Sequence, residues 1–204
     1  FTGFKEVIKN NKIVVLNMNI AKHKNLSKII AAYLKLDFQS DVISRISSPT
    51  SSNRNIAFIS DEFHEYITTT DADFFALSRE AKCINIVATQ SYSSLKNTLK
   101  DDSACKVILQ NLINKLWFRT DDIFTIEEAQ KLIGKEEKQK VSTTISENAK
   151  ETKLNLITNT LMSKDSNLSE SYNTYTQNDY IYDTNYFSQS LETFKCLAFI
   201  SDGL

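Results

Sequence analysis

The sequence has very little glycine: three residues in 204, at positions 3, 134 and 203. A phosphate-binding loop needs the pattern G-x-x-x-x-G-K-[ST], because its backbone amides must approach the phosphates without obstruction by side chains. None of the three glycines is followed by Lys-Ser or Lys-Thr. The chain therefore contains no phosphate-binding loop, and we expect it to be unable to hydrolyse a nucleotide alone.

Histidine and cysteine are also scarce, with two and three residues respectively. His23 and His64 have no second ligand at metal-binding spacing, so the sequence predicts no zinc site. Cys83, Cys105 and Cys196 are odd in number and lie in apolar runs. This pattern favours buried free thiols in a reducing compartment over a disulfide framework.

Long hydrophobic runs and excess charge are missing as well. No run approaches the roughly 18 apolar residues that span a bilayer, and the first 20 residues lack a signal-peptide pattern. The formal charge of −1 provides no global positive field for nucleic acid, while 41% hydrophobic residues suffice for one globular domain. The chain opens on Phe1 rather than Met, so we expect it to be an engineered or excised fragment.

Five short runs rich in β-branched or aromatic residues predict buried strands. They are Lys12–Met18, Asn55–Ser60, Ile84–Thr89, Lys115–Arg119 and Phe194–Ile200. Helical patterns separate the first four. This alternation predicts an α/β fold with a mostly parallel sheet flanked by helices, and functional residues at the carboxyl ends of the strands.

Several helix boundaries can be predicted. A 3.6-residue apolar period from Leu26 to Ile46 predicts a long amphipathic helix with its Lys and Asp residues in solvent. Asp71 opens another helix, and Asp101 caps a third. Thr125-Ile-Glu-Glu128 is typical of a capping box, and Gly134 lies where a left-handed residue would end the same short helix.

The composition changes between residues 141 and 190, where 23 of 50 residues are Ser, Thr or Asn. Hydrophobic periodicity fades there, which predicts a polar, irregular excursion between a body at 1–140 and a final sheet strand at 191–204. Its aromatic residues could stack on bases of single-stranded DNA or pin a loop to the domain surface, and the sparse positive charge favours the latter. These residues are Tyr172, Tyr175, Tyr180, Tyr182 and Tyr186.

Two carboxylates, Asp61 and Glu62, follow the apolar strand that begins at Asn55. In ATPases, one acid at a strand end holds the magnesium shell and a second orients or deprotonates the attacking water. The pair is typical of this Walker B arrangement. The same pattern also arises where a strand precedes an acidic helix N-terminus.

Gln90 ends the next predicted strand, and Arg79 lies near the end of the helix between the two strands. A glutamine at this position can sense the γ-phosphate, or it can simply cap the helix that follows. An arginine there can stabilise transition-state charge in a neighbouring subunit, or it can be an ordinary surface ion-pair partner.

The order of these features resembles the type IV secretion coupling proteins, the TraD/TraG-like ATPases of conjugative DNA transfer. The resemblance runs from about Lys12 to Gly134 and resumes at the last strand, and Ile56–Leu95 is its most specific stretch. It implies the distal half of a RecA-like P-loop NTPase fold that lacks the P-loop strand. It further implies that Asp61 holds magnesium through water, with no metal bound directly, that Glu62 is the catalytic glutamate and Gln90 the sensor, and that Arg79 acts in trans.

The resemblance also implies cofactors, partners and location. ATP and Mg²⁺ would bind the complete protein, an ATPase, and neither is expected to bind this chain alone. The partners would be an N-terminal P-loop half, other subunits of a hexameric ring, DNA, and relaxosome or secretion-channel proteins. The protein would be cytoplasmic, at the inner face of the membrane, through an anchor outside this chain.

Two alternatives stay open. Another RecA-like DNA translocase would keep the acids and the sensor but change the partner. A non-catalytic docking module for relaxosome or secreted proteins would explain the absent phosphate-binding loop, but it would need neither Asp61 and Glu62 nor Arg79 and Gln90.

Overall fold

The computed structural model describes residues 3–18, 20–47, 54–147, 154–155, 160–161 and 168–201. The helices are α1 (Phe4–Lys9), α2 (Ile20–Ile43), α3 (Asp71–Ser78), α4 (Tyr92–Leu99), α5 (Asp102–Asn111) and α6 (Ile123–Ile133). The strands are β1 (Ile56–Ser60), β2 (Cys83–Val87), β3 (Lys115–Trp117), β4 (Lys135–Glu147), β5 (Leu154–Asn155), β6 (Thr160–Leu161), β7 (Leu168–Tyr180) and β8 (Leu197–Phe199). Within these ranges, no helix is both long enough and apolar enough to cross a membrane.

The chain divides into two compact units. The first, called the main unit below, consists of Phe1–Ala129 and Thr184–Leu204. The second, called the hairpin unit, is Gln130–Asp183.

A β-α-β element positions the residues of interest in the main unit. β1 and β2 pair in parallel, from Ile56 opposite Cys83 to Ser60 opposite Val87. α3 lies in the connection between them, as a parallel pair requires a crossover. The carboxyl ends of both strands therefore lie side by side.

The remaining described strands pair antiparallel. β3 pairs with β8, β4 with β7 and β5 with β6, each pair forming its own two-stranded sheet. The predicted α/β class is confirmed, but the described residues show one parallel pair where a mostly parallel sheet was predicted.

The predicted strand at Lys12–Met18 is wrong. This segment has no regular structure, and Ile13 and Val15 are 91% and 81% exposed. A strand must bond its backbone groups to a neighbour, and none of the described strands pairs with this segment. A segment rich in β-branched residues does not form a strand unless a neighbouring strand pairs with it.

Aromatic side chains form much of the core of the main unit. Phe38 of α2 stacks on Phe58 of β1 at 5.6 Å between ring centroids, and Phe74 meets Phe58 edge-on. Phe63 and Phe75, in contact at 5.7 Å, are almost fully buried. Each such ring contributes about 1.5–3 kcal/mol by leaving water.

Two of the three cysteines are buried as predicted, and the third is not. Cys83 and Cys105 lie in the core, and burial raises the pKa of the Cys83 thiol to about 11. Cys196 is exposed, because it lies just before the short strand β8, outside the core.

The long helix predicted from the apolar period is present as α2, with a kink at His23. Its faces differ from the prediction, because Leu26, Ile29 and Tyr33 are 58%, 66% and 69% exposed. Lys35, predicted to face solvent, is buried.

A buried carboxylate explains the position of Lys35. Lys35 Nζ forms an ion pair with Asp71 Oδ2 and donates to the Tyr66 carbonyl at 2.7 Å. Gln39 Nε2 donates to the other oxygen, Asp71 Oδ1, at 2.6 Å, and Thr68 N donates to Oδ2 at 2.7 Å. Burial lowers the pKa of Lys35, and the charge of Asp71 acts in the opposite direction.

Most helix ends agree with the sequence. α3 begins at Asp71, the side chain of Asp101 accepts two backbone N–H bonds at the start of α5, and α6 ends before Gly134, which has φ +97°. The predicted capping box is wrong, because α6 begins at Ile123 rather than after Thr125. Asp122 caps the helix instead, and its Oδ2 accepts from Thr125 N at 2.9 Å.

The hairpin unit contains two 13-residue antiparallel strands, β4 and β7, paired from Lys135 opposite Tyr180 to Glu147 opposite Leu168. The prediction of irregular structure is wrong over these strands, and residues 148–153, 156–159 and 162–167 lie outside the described part. Thr favours strands, and a two-stranded ladder needs no apolar period. Tyr172 and Tyr175 are 67% and 47% exposed on this hairpin.

Candidate functional site

The predicted acid pair lies directly beyond β1, at the carboxyl edge of the parallel pair. Asp61 is exposed, and its Oδ1 accepts a hydrogen bond from the Glu62 amide at 2.9 Å. Glu62 has φ 48° and ψ 42°, the left-handed region that non-glycine residues rarely occupy. A strained backbone here turns the chain sharply after Asp61, so that Glu62 faces the end of the neighbouring strand.

Glu62 and Gln90 meet at this edge. The backbones of the two loops are joined by Ala88 N to Ser60 O at 2.8 Å and Phe63 N to Ala88 O at 2.9 Å. Gln90 Nε2 donates to Glu62 Oε1 at 3.3 Å, across 28 residues of sequence. The fold thus brings together two side chains that the sequence places at separate strand ends.

The helix-capping alternative does not describe Gln90. Ser91 is the N-cap of α4, and its side chain accepts from Ser94 N at 3.1 Å. The alternative for the acids, a strand that precedes an acidic helix N-terminus, agrees with the backbone, because Glu62 is the N-cap of the short 3₁₀ turn at Phe63–Glu65, but its side chain makes no capping bond there. The amide of Gln90 and the carboxylate of Glu62 instead contact each other.

His64 lies behind the acid pair and was considered in the sequence only as a metal ligand. It is buried, and its Nδ1 lies 3.4 Å from Glu62 Oε2 and 3.2 Å from Thr89 Oγ1. Its Nε2 lies 3.6 Å from Glu65 Oε1. The sequence places His64 two positions after the acid pair, but it contains no signal for these contacts.

Tyr66 is a second residue that the sequence reasoning missed. Its hydroxyl lies 2.5 Å from Ser60 Oγ and 2.8 Å from the Asp61 carbonyl, while its own carbonyl accepts from Lys35. Burial raises the pKa of Tyr66, so the hydroxyl stays protonated at neutral pH. Tyr66 therefore ties the end of β1 to α2.

Arg79 lies at the opposite edge of the same strands. It follows α3, is exposed, and comes four positions before β2 begins at Cys83, whereas Gln90 lies beyond the other end of β2. A five-residue strand is roughly 16 Å long at about 3.3 Å per residue. The structure therefore does not bring Arg79 to the acids of its own chain, and in the described part of the chain no carboxylate pairs with it.

An open cavity of about 770 Å³ adjoins Gln90. Hydroxyl groups from the start of α4 line it together with Asp121, Asp122 and Glu127. No lysine or arginine is among the described residues of this lining.

Asp122 and Thr125 join the starts of α4 and α6 beside this cavity. Ser93 N donates to Asp122 Oδ2 at 3.4 Å, and Tyr92 N donates to Thr125 Oγ1 at 2.9 Å. Burial tends to raise the pKa of Asp122, but hydrogen bonds from Ser93 and Thr125 outweigh it and leave the pKa lowered.

The donor set at this edge fits one side of a magnesium–nucleotide site. Asp61 is an exposed carboxylate that can contact magnesium through water, and Glu62 Oε2 is buried without a hydrogen bond. Among the described residues no cluster of three His, Cys, Asp or Glu side chains could hold a metal directly. The acids are present at this edge, whereas the sequence contains no phosphate-binding loop to lie beside them.

Comparison with known proteins identifies the family. A family model described as "TraM recognition site of TraD and TraG" matches residues 55–181. A search of curated proteins gave no significant match.

A solved structure, "Bacterial conjugative coupling protein TrwBdeltaN70. Unbound monoclinic form", is 14% identical with a TM-score of 0.51, and supports the α/β fold. The match covers 78% of this chain but 32% of that protein. Since the family model covers more than half of the sequence, the chain belongs to the TraD/TraG family of type IV secretion coupling proteins, which serve conjugative DNA transfer.

Proposed function

We propose that this chain supplies the acidic and sensing side of the ATP site of a DNA-translocating coupling ATPase. Asp61 would hold magnesium through water, Glu62 would polarise the attacking water, and Gln90 would sense the γ-phosphate. The observation that carries this proposal is the contact between Glu62 and Gln90 at the adjoining ends of two parallel strands.

The phosphate-binding loop would come from an N-terminal half of the same protein. The exposure of one face of the β1–β2 pair supports an additional half, because Ile59, Ile84 and Ile86 on that face are 72%, 51% and 55% exposed. Parallel sheets normally bury both faces, and a RecA-like domain has helices on each. ATP and Mg²⁺ would then act in the complete protein, and this chain alone would be inactive.

Arg79 would serve the site of a neighbouring subunit. Its position at the edge remote from Glu62 supports action in trans, which requires a homo-oligomeric ring, a hexamer by resemblance to the family. Such a ring would move DNA at the cytoplasmic face of the membrane, held by an anchor outside this chain.

Glu62→Gln in the full-length protein tests the catalytic role. We expect ATP turnover to fall by about 100-fold or more, as for loss of a general base, while nucleotide binding persists. The control is Glu192→Gln, which changes an exposed glutamate paired with Lys195. Unchanged turnover in Glu62→Gln would exclude Glu62 as the catalytic glutamate.

A second role, recognition of a relaxosome protein, is favoured by the reach of the family model. The TraM-recognition model extends to residue 181 and so includes both strands of the hairpin, where Tyr172 and Tyr175 are exposed. Exposed tyrosines are common interface anchors. Tyr172→Ala/Tyr175→Ala should weaken binding of a TraM-like protein at least about tenfold and leave ATP turnover intact; equal binding would exclude this surface.

A further inference from the structure

His64 lies between two carboxylates and a hydroxyl group, in a place shielded from solvent. Its Nδ1 faces both Glu62 Oε2, at 3.4 Å, and Thr89 Oγ1, at 3.2 Å, and its Nε2 faces Glu65 Oε1 at 3.6 Å. Its side chain is only 11% exposed.

Apart from their contact with His64, the two oxygens of the Glu62 carboxylate differ in their hydrogen bonds. Oε1 accepts from Gln90, whereas Oε2 is buried and no hydrogen bond reaches it. A buried carboxylate oxygen strongly favours a donor, and His64 Nδ1 lies within reach after a small movement. Thr89, the residue before Gln90, holds the same ring nitrogen from the β2 side.

From these contacts we propose that His64 is a positioning residue that turns the carboxylate of Glu62 toward Gln90. His64 acts through Glu62 and touches neither nucleotide nor metal, and Thr89 anchors it to the end of β2. Both oxygens of the Glu62 carboxylate are then fixed relative to the end of β2. Their position determines where a water molecule can be polarised. This role rests on the proposed catalytic function of Glu62.

Amide substitutions separate positioning from packing. In the full-length protein, His64→Ala should lower kcat about 10- to 100-fold with KM nearly unchanged, because orientation of a reacting group is lost rather than binding. His64→Asn places an amide nitrogen near the position of Nδ1 and should restore most of this loss. His64→Gln reaches the position of Nε2 instead and should not.

The other histidine provides the control. His23 is exposed at the kink of α2, so His23→Ala should leave kcat unchanged. If His64→Asn is as impaired as His64→Ala, or if His64→Ala turns over normally, His64 does not position Glu62.

A structural measurement keeps this inference separate from the catalytic proposal. In a structure of full-length His64→Ala, the Glu62 carboxylate should have left Gln90 Nε2, whereas in His64→Asn the contact should persist. A Glu62–Gln90 contact unchanged in His64→Ala would overturn the inference whatever the ATPase assays show. A displaced Glu62 together with normal turnover in Glu62→Gln would instead overturn the catalytic role.

Discussion

At the scale of single residues, Asp71 is fully buried and serves as the acceptor for Lys35, Gln39 and Thr68. We predict that Asp71→Ala destabilises the chain by about 3–5 kcal/mol, because it leaves the ammonium group of Lys35 buried without a negative charge beside it. Urea denaturation at neutral pH measures this difference. Asp73→Ala removes an exposed carboxylate from the same turn of α3 and should cost far less.

The double variant Lys35→Met/Asp71→Leu distinguishes the ion pair from general packing. Replacing both partners by apolar groups removes the unpaired charge, so the double variant should be more stable than Asp71→Ala. A double variant as unstable as Asp71→Ala would show that the loss arises from cavity formation or from the other hydrogen bonds of Asp71.

Residues that lie at strand ends could be predicted from the sequence, whereas residues that support them could not. Asp61 and Gln90 each follow an apolar run, and the pairing of β1 with β2 brings their loops together. His64 and Tyr66 gain their partners from the path of a short turn after a left-handed residue, Glu62, and no residue type requires that conformation. Their contacts therefore needed the structure.

At the scale of elements, Asp122 joins two helices by accepting from Ser93 and Thr125. Asp122→Ala should destabilise the chain by about 0.5–2 kcal/mol, the usual effect of losing an N-cap. Since the folded-state pKa of Asp122 is lowered, this stabilisation is present above the unfolded pKa of about 3.9 and is lost as pH falls through the folded pKa.

Urea denaturation at pH 7 and near pH 3 checks both parts of this prediction. The difference between wild type and Asp122→Ala should be largest at pH 7 and shrink in acid. Asp121→Ala changes the neighbouring exposed carboxylate and should show neither effect. A difference independent of pH would mean that the charge of Asp122 does not contribute.

The helices could be predicted better than the strands. Helix signals are local: Asp101 and Gly134 act within one turn, and α5 and α6 begin or end beside them. Strands depend on neighbours distant in sequence. The pattern at Lys12–Met18 therefore predicted a strand with which none of the described strands pairs, and the pairing of β4 with β7 shows no apolar period in its sequence.

At the scale of the whole molecule, the remote position of Arg79 predicts complementation between subunits. Full-length Glu62→Gln and Arg79→Ala should each lose turnover when alone. In a ring assembled at random from equal amounts of the two variants, roughly a quarter of the subunit interfaces carry both wild-type Glu62 and wild-type Arg79. ATP turnover should therefore return in part. Lys106→Ala, which changes an exposed cation of α5, is the control.

This experiment has a clear contrary outcome. If Arg79 served the site of its own subunit, every site of a mixed ring would carry one substitution, and turnover would stay at the level of the single variants. Co-purification of two differently tagged subunits verifies that the rings are mixed before turnover is compared.

The exposed face of the β1–β2 pair predicts that a charge placed on it changes the stability of the 204-residue chain and of the full-length protein by different amounts. Ile86 is 55% exposed, so Ile86→Glu should change the stability of the 204-residue chain by no more than about 1 kcal/mol. In the full-length protein an upstream half would cover this face, and a buried, unpaired carboxylate should then cost at least about 2 kcal/mol. Denaturant unfolding of both forms measures the contrast, with Thr98→Lys, an exposed change on α4, as control. Equally small losses of stability in the 204-residue chain and in the full-length protein would mean that nothing covers this face. If the 204-residue chain shows no cooperative unfolding transition, the comparison of Ile86→Glu with Thr98→Lys in the full-length protein decides alone.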